Sequence, residues 1–402
     1  MQKEMPRYFA GMDLGTSSVR AVIGNISDEG IVVVGYGEAE NSGMRKGGVV
    51  NIDGAVVAID RALAEAEKMC GVKINNVVAN VNGHHILSTR VDGMVAIGGS
   101  GAEVTREVLA RIEEVSISGK LPENREILDL IPHDFAVDGQ GGVREPVGMK
   151  GSRLEMRATV VSALAPYCEN VRKAFNTADL GVSRLIVGVE AGARAVLSDR
   201  QIENGVGYVD FGAATTGVAI FDEGDLKYIG VVPVGSNNIT NDLAMILKTE
   251  IDVAEEIKRR FVTAEFGASE KDIVIKRGQE ELIFARGVVD EIVQARLDDI
   301  FEAVYRELKA AGYAERLPEG IVLSGGGAKL RGLEYYARER LGAAVRVGAV
   351  TGIKGVGEAI QRPEFSTAIG LMVAGVERGG GGAMEVKKKS GGWLKKILSS
   401  FR

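Results

Sequence analysis

The stretches YFAGMDLGTSSVRAVIG (Tyr8–Gly24) and VGYVDFGAATTGVAIFD (Val206–Asp222) are written on one plan. Each runs a short apolar strand into an aspartate, an apolar residue and a glycine, then a hydroxyl-rich bend and a second β-branched strand. Asp13 corresponds to Asp210 and Gly15 to Gly212, and the second bend reads as one residue longer. Either stretch alone also fits an ordinary glycine-containing hairpin. The repeat, with both acids in register, predicts two similar α/β units facing each other across a cleft. Its residue types suit phosphate and a divalent cation. Gly15 and Gly212 let backbone N–H groups come close, and Thr16, Ser17, Ser18, Thr215 and Thr216 add donors. Asp13 and Asp210 are suited to hold Mg²⁺ through its waters.

A third stretch, GIVLSGGGAKLRGLEYYARERLG (Gly320–Gly342), reads as a strand at Ile321–Leu323, a turn at Gly325, Gly326 and Gly327, and a helix whose N-terminus favours an anion. A plain strand–helix turn looks the same. STAIGLMVAG (Ser366–Gly375) reads as a small-residue helix suited to close packing between domains. The chain's 402 residues leave room for two or more domains. Its 54 glycines against 8 prolines suit backbone-lined turns better than a disordered chain.

Cys70 and Cys168 are expected as buried free thiols. Of three histidines, His84 and His85 are adjacent and would point to opposite faces of a strand, which argues against a metal site. A net charge of −6 with 5% aromatic residues argues against a nucleic-acid surface. No window reaches the ~20 apolar residues of a membrane span, and the N-terminus lacks an apolar signal region, so the expected compartment is the cytoplasm.

These elements, in this order, resemble the actin-like ATPase superfamily: phosphate loop one, phosphate loop two, an adenosine motif and a closing helix. The intervening chain narrows the resemblance to the FtsA family of bacterial cell-division proteins. REILDLIPHDFAVDGQGGVREPVGMKGSRLE (Arg125–Glu155) resembles that family's inserted subdomain, and VPVGSNNITNDLAMILKTEIDVAEEIKRRF (Val232–Phe261) resembles the start of its adenine-side subdomain. IVQARLDDIF (Ile292–Phe301) is similar to a later helix there. The resemblance implies an α/β, actin-like two-lobed fold with the nucleotide cleft between duplicated domains and a small subdomain inserted in the first lobe. In residue numbers this implies a first lobe at 7–83 and 166–193, the insert at 84–165, a second lobe at 194–228 and 319–355, and an outer subdomain at 229–318. A closing helix at 356–378, a linker at 379–392 and an amphipathic segment at 393–402 follow.

The first lobe's helix is expected to be capped by Asp53, striped by Val56, Ile59, Leu63 and Ala66, and ended by Gly71. The resemblance assigns ATP with Mg²⁺ as the cofactor and places Glu255 and Lys258 beside adenosine, though three residues apart they also suit a solvated ion pair. It makes Glu190 a candidate to orient an attacking water, against the simpler reading of a helix-start acid. Arg296 is a candidate contact for the acidic C-terminal tail of FtsZ, the tubulin-like division protein, with a surface pair to Asp298 or Asp299 as the alternative. Loop two departs from the family's Asp-x-Gly-Gly-Gly-Thr-Thr-Asp by carrying Ala213, Ala214 and Gly217, which implies slow hydrolysis at most.

The tail GGWLKKILSSFR (Gly391–Arg402) places Trp393, Leu394, Ile397, Leu398 and Phe401 on one helical face, with Lys395 and Lys396 beside it. That pattern is expected to lie in a membrane interface and not to span it, the alternative being a stripe that docks back on the protein's own body. The expected function is a cell-division adaptor that binds ATP, self-associates into filaments, and tethers FtsZ and other division proteins to anionic lipid at the cytoplasmic side of the division site. A pilus-assembly actin-like module and a small-molecule kinase are the alternatives. A kinase needs a base beside the phosphate, and neither bend offers an extra acid.

Overall fold

A computed structural model of the chain describes residues 7–27, 30–99, 101–267, 271–355 and 361–377. The first lobe opens with β1 (Tyr8–Leu14), β2 (Ser18–Ser27) and β3 (Gly30–Glu40), followed by a small hairpin of β4 (Met44–Arg45) and β5 (Gly48–Val49). Helix α1 (Ile52–Cys70) comes next. Its N-cap is Asn51, whose side chain accepts from the Gly54 N–H, so Asp53 lies one position inside the first turn and is not the cap. Ile59, Leu63 and Ala66 are buried, Val56 is half-buried, and Gly71 ends the helix at φ 70°. β6 (Asn76–Val81) then runs parallel to β1.

The insert holds β7 (Leu87–Ala96), α2 (Arg106–Ile117), β8 (Arg125–Val137), β9 (Gln140–Val143) and β10 (Arg153–Leu164). Its strands form a separate sheet in the order β7-β10-β8-β9, with a core around Val91, Ile112, Phe135 and Leu154. His84 and His85 sit in the turn before β7, not on a strand. The His85 ring bonds the Asn82 carbonyl at 3.0 Å and stacks on Tyr167 at 3.9 Å. Burial pushes that imidazole down to about 4. Both cysteines are free; Cys168 is buried and Cys70 half-buried.

The chain re-enters the first lobe through α3 (Ala165–Thr177), β11 (Gly181–Val187) and α4 (Gly188–Val196). The second lobe follows as α5 (Asp199–Asn204), β12 (Val206–Phe211), β13 (Thr216–Asp222) and β14 (Asp225–Val232). Thus α4 crosses the expected division at 193/194 and β14 the one at 228/229. The outer subdomain comprises α6 (Ser236–Ile246), α7 (Ile251–Phe261), the hairpin β15 (Ile273–Arg277) and β16 (Glu280–Phe284), and α8 (Arg286–Ala311). The chain closes with β17 (Ile321–Ser324), α9 (Leu333–Leu341), β18 (Val345–Val347), β19 (Lys354–Gly355) and α10 (Ser366–Glu377).

The duplication extends well beyond the two hairpins. The first lobe's sheet runs β11-β6-β1-β2-β3-β19 and the second lobe's β18-β17-β12-β13-β14, so a parallel strand flanks each hairpin on the same side. Asp13 pairs with Arg20, and Asp210 pairs with Gly217. The spacing from acid to partner is therefore equal, and the two bends have the same length, contrary to the sequence reading. Between the lobes lies α10, apolar on every side and buried from Ser366 to Ala374, as a helix enclosed by two layers must be. The closeness depends on Gly370, where an added Cβ would fall 1.7 Å from the Ala191 carbonyl oxygen of α4.

Candidate nucleotide-binding cleft

Each bend closes on itself. The Gly15 N–H donates to the Ser18 carbonyl at 3.2 Å, and the Gly212 N–H donates to the Thr215 carbonyl at 3.0 Å. A Cβ at Gly15 would come within 2.7 Å of the Ser18 oxygen, and one at Gly212 within 2.8 Å of the Thr215 oxygen. These glycines are needed for close approach rather than for a left-handed φ. Asn41 braces loop one by donating to the Gly15 carbonyl at 2.8 Å. Thr16 and Gly15 are half-buried, Ser17 is exposed and Ser18 buried. In loop two, Thr215 is half-buried, whereas the Thr216 hydroxyl is committed to the Val234 carbonyl at 2.8 Å. Ala213 and Ala214 both lie outside the left-handed region, so neither replaced glycine strains the backbone.

The two acids face one another. Asp13 accepts from Asn80 Nδ2 at 2.6 Å, while Asn80 Oδ1 accepts the Leu14 N–H at 2.7 Å. Burial raises Asp13 to about 7, with Arg20 opposing the rise and the Asp210 charge adding to it. Asp210 is raised to about 6, again by burial, with Arg20 and the Thr367 hydroxyl pulling it back. Gly325, at φ 81°, abuts the second acid: its Cβ would sit 2.3 Å from Asp210 Oδ1. Gly327 presses on the Phe211 ring, and Gly326 faces open space. The triplet leads into a 3₁₀ turn at Gly326–Lys329, and α9 starts only at Leu333. No α-helix N-terminus therefore stands at the triplet, which corrects the sequence reading.

Loop two continues into the outer subdomain. Ser236 and Asn237, at the start of α6, donate backbone N–H groups to Gly212 and Ala213 at 2.9 and 2.7 Å. One helix further, Glu255 accepts from Thr240 on α6 at 2.6 Å and pairs with Lys258 at 2.6 Å. Burial lowers the Lys258 ammonium, so this pair is not the solvated one that spacing alone allows.

Two candidates are held elsewhere. Glu190, 3% exposed, is paired with Arg194 at 2.7 Å in a buried network that reaches Glu377. This is the helix-start acid, and it lacks the free carboxylate that orienting a water requires; the i,i+4 spacing to Arg194 was its signal in the sequence. Arg296 is gripped by Asp242 at 2.5 Å and Asp299 at 3.1 Å, while Asp298 pairs with Arg340. Trp393, Leu394, Lys395, Lys396, Ile397, Leu398 and Phe401 lie outside the described residues. Sequence reasoning missed Arg20, Asn80 and Thr367, which strand pairing and α10 bring to the acids.

The donor set fits phosphate with a hydrated divalent cation. The buried carboxyl of Asp13 and the half-buried one of Asp210, both raised by desolvation, are groups a cation would stabilise, and glycine loops with no room for a Cβ border both.

Comparison with known proteins gives a consistent picture. The family model "Cell division protein FtsA" matches residues 208–370, and "SHS2 domain inserted in FTSA" matches 83–162. The chain is 35% identical to cell division protein FtsA of Pseudomonas aeruginosa, over 92% of this chain and 90% of that protein. It is 31% identical to the Escherichia coli K12 protein of the same name, over 98% of both. Among solved structures, a type IV pilus biogenesis complex of PilM and PilN aligns with a TM-score of 0.68 at 18% identity, covering 92% of this chain and 98% of that one. MreB5 of Spiroplasma citri bound to ADP aligns with a TM-score of 0.54 at 13% identity, covering 91% and 95%. At those identities the likeness is one of fold, that of two actin-like lobes, and the inserted subdomain is the one matched at 83–162.

Proposed function

Because the chain belongs to the FtsA family of cell division proteins, we propose that it is an ATP-binding adaptor which self-associates into filaments and tethers FtsZ to the membrane. The observation that supports the nucleotide-binding part of this reading is the pair Asp13 and Asp210, on equivalent hairpins whose acids act on one another. Gly15, Thr16, Ser17, Ser18, Gly212 and Thr215 would surround the phosphates, and Gly325, Gly326 and Gly327 would border the nucleotide, with Glu255 and Lys258 on the adenosine side. Mg²⁺, held through water by the two acids, would neutralise phosphate charge. The FtsZ tail would dock on the outer subdomain, and an acidic residue reaching Arg296 would have to displace Asp299. Residues 393–402, read from their sequence pattern, would hold filaments on anionic lipid. Calorimetry with Mg²⁺–ATP tests the cleft: the native chain should bind, and Asp210→Ala should lose most affinity while its unfolding midpoint does not fall below native. Unchanged affinity in both Asp13→Ala and Asp210→Ala would sink the clamp.

A further inference from the structure

Five charged side chains from four separate stretches of chain meet where the insert, the first lobe and the end of α10 come together. Arg194 of α4 holds Glu190 at 2.7 Å through Nη2 and Glu377 of α10 at 3.2 Å through Nη1. Arg184 of β11 holds Asp129, on β8 of the insert, at 2.9 Å. No side chain among them is more than 14% exposed. Three carboxylates therefore share two guanidiniums, one acid more than the cations can neutralise. Glu377 Oε1 and Arg194 Nε are buried and make no hydrogen bond among the described residues, so the network is not closed.

Both strands that carry the insert's bridge are shaped for it. β8 has an extra residue, Leu128, before Asp129, since Val161 pairs with Asp129 and Ser162 with Ile127. β11 has one too, Ser183, before Arg184, since Val182 pairs with Val77 and Arg184 with Val78. A bulge re-aims the side chain beside it, and here two bulges meet at one ion pair. The charges also act across the cluster. Burial holds Asp129 and Glu377 above the usual carboxylate range and the Glu190 charge adds to both, while Arg184 and Arg194 each pull both down. We propose that this cluster is a two-way joint between the insert and the root of the C-terminal segment: when the end of α10 shifts, Arg194 exchanges Glu377 for Asp129 and the insert loosens from β11. Departure of Glu377 leaves Arg194 Nη1 buried and open, and Asp129 is the remaining acid outside α4 whose charge reaches it. Asp129 can then turn from Arg184 to Arg194 without lowering the number of ion pairs. Glu377 is the last described residue, and the sequence continues from it into 378–402, so a pull on that segment acts first at this joint. The joint belongs to the folded chain and does not depend on what the segment binds.

Hydrogen–deuterium exchange of the full chain, without lipid or nucleotide, reads the joint in the native protein, Glu377→Gln, Glu377→Ala, Asp129→Asn and Glu126→Gln. Glu377→Gln leaves two acids for two arginines, so it should fold. Both Glu377 variants should speed exchange in β8 and β11 as well as in the last turn of α10. Asp129→Asn should speed it in the last turn of α10. Increases of roughly 2–30-fold are expected, the scale of coupling carried by packed ionic networks. Glu126→Gln breaks a neighbouring bridge from β8 to Arg172 of α3, and it should loosen those two elements while leaving α10 as in the native chain. Changes confined to α10 in the Glu377 variants would reduce the cluster to two independent ion pairs and overturn the proposal. An α10 that also loosens in Glu126→Gln would assign the coupling to packing at large and overturn it equally. Should Asp129→Asn not fold, exchange of β8 and β11 in Glu377→Gln decides.

Discussion

Asp13 and Asp210 carry charges that burial disfavours, and nucleotide-free stability should register it. Asp13 rises from 3.8 to about 7 and Asp210 to about 6. A carboxyl whose folded-state pKa exceeds its unfolded value stabilises fully below the unfolded value, and that contribution is lost as pH rises through the folded one. For these two the loss runs from about pH 4 to about 7 and is complete above it. Asp13→Asn, measured by urea unfolding without Mg²⁺ or nucleotide, should therefore gain on the native chain as pH rises from 5 to 8, by at most about 3 kcal/mol. A gap that stays constant or closes with pH would refute the assignment. The two acids were legible in the sequence because glycine and aspartate at a bend carry their chemistry locally. Asn80 was not: it meets Leu14 and Asp13 only because β6 pairs with β1, more than sixty residues away. Arg20 passed as one strand residue among many until register placed it between two acids.

At the scale of elements, α10 is where a small change costs most. Alanine favours a helix over glycine by about 1 kcal/mol, so Gly370→Ala should stabilise an isolated helix. In this protein the new Cβ meets the Ala191 backbone, which cannot rotate aside. Overpacking of this kind costs about 1–3 kcal/mol or more, and the expected sign is net destabilisation in urea or heat. A midpoint at or above the native one would show that α4 and α10 are not in such close contact. The run STAIGLMVAG announced a closely packed helix because small residues have few other uses there. Local signals misled where two residues had the same credentials: Asn51 and Asp53 can each cap a helix, and only the bond to Gly54 decides between them. The glycine triplet misled differently, since the turn it opens is 3₁₀ and the helix waits until Leu333.

The whole molecule joins its insert to both lobes, which no local pattern announced. Ser88 of the insert donates to the Ile229 carbonyl at 2.8 Å and accepts its N–H at 3.0 Å, covering the edge of β14, while Arg144 pairs with Asp225 at 3.0 Å. In the proposed reading, nucleotide-driven movement of the lobes would reach the insert through these contacts and link nucleotide to self-association and membrane binding. Among the described residues no helix is long and apolar enough to cross a membrane, and the proposed anchor, 393–402, rests on its sequence pattern. About ten residues are too few for a helix stable alone in water, where roughly 12–15 is marginal. Ordering on the bilayer would then offset much of the gain from burying Trp393, Leu394, Ile397, Leu398 and Phe401. Each Lys or Arg near an anionic leaflet contributes about 1 kcal/mol, so in the proposed reading one tail would bind weakly and an array of tails would bind through effective concentration. Recruitment to liposomes should accordingly rise cooperatively with protein concentration, and be strongest with ATP and anionic lipid. Deletion of 391–402 should leave ATP affinity unchanged and abolish co-sedimentation. Equal co-sedimentation of the full and shortened chains would remove the tail as anchor.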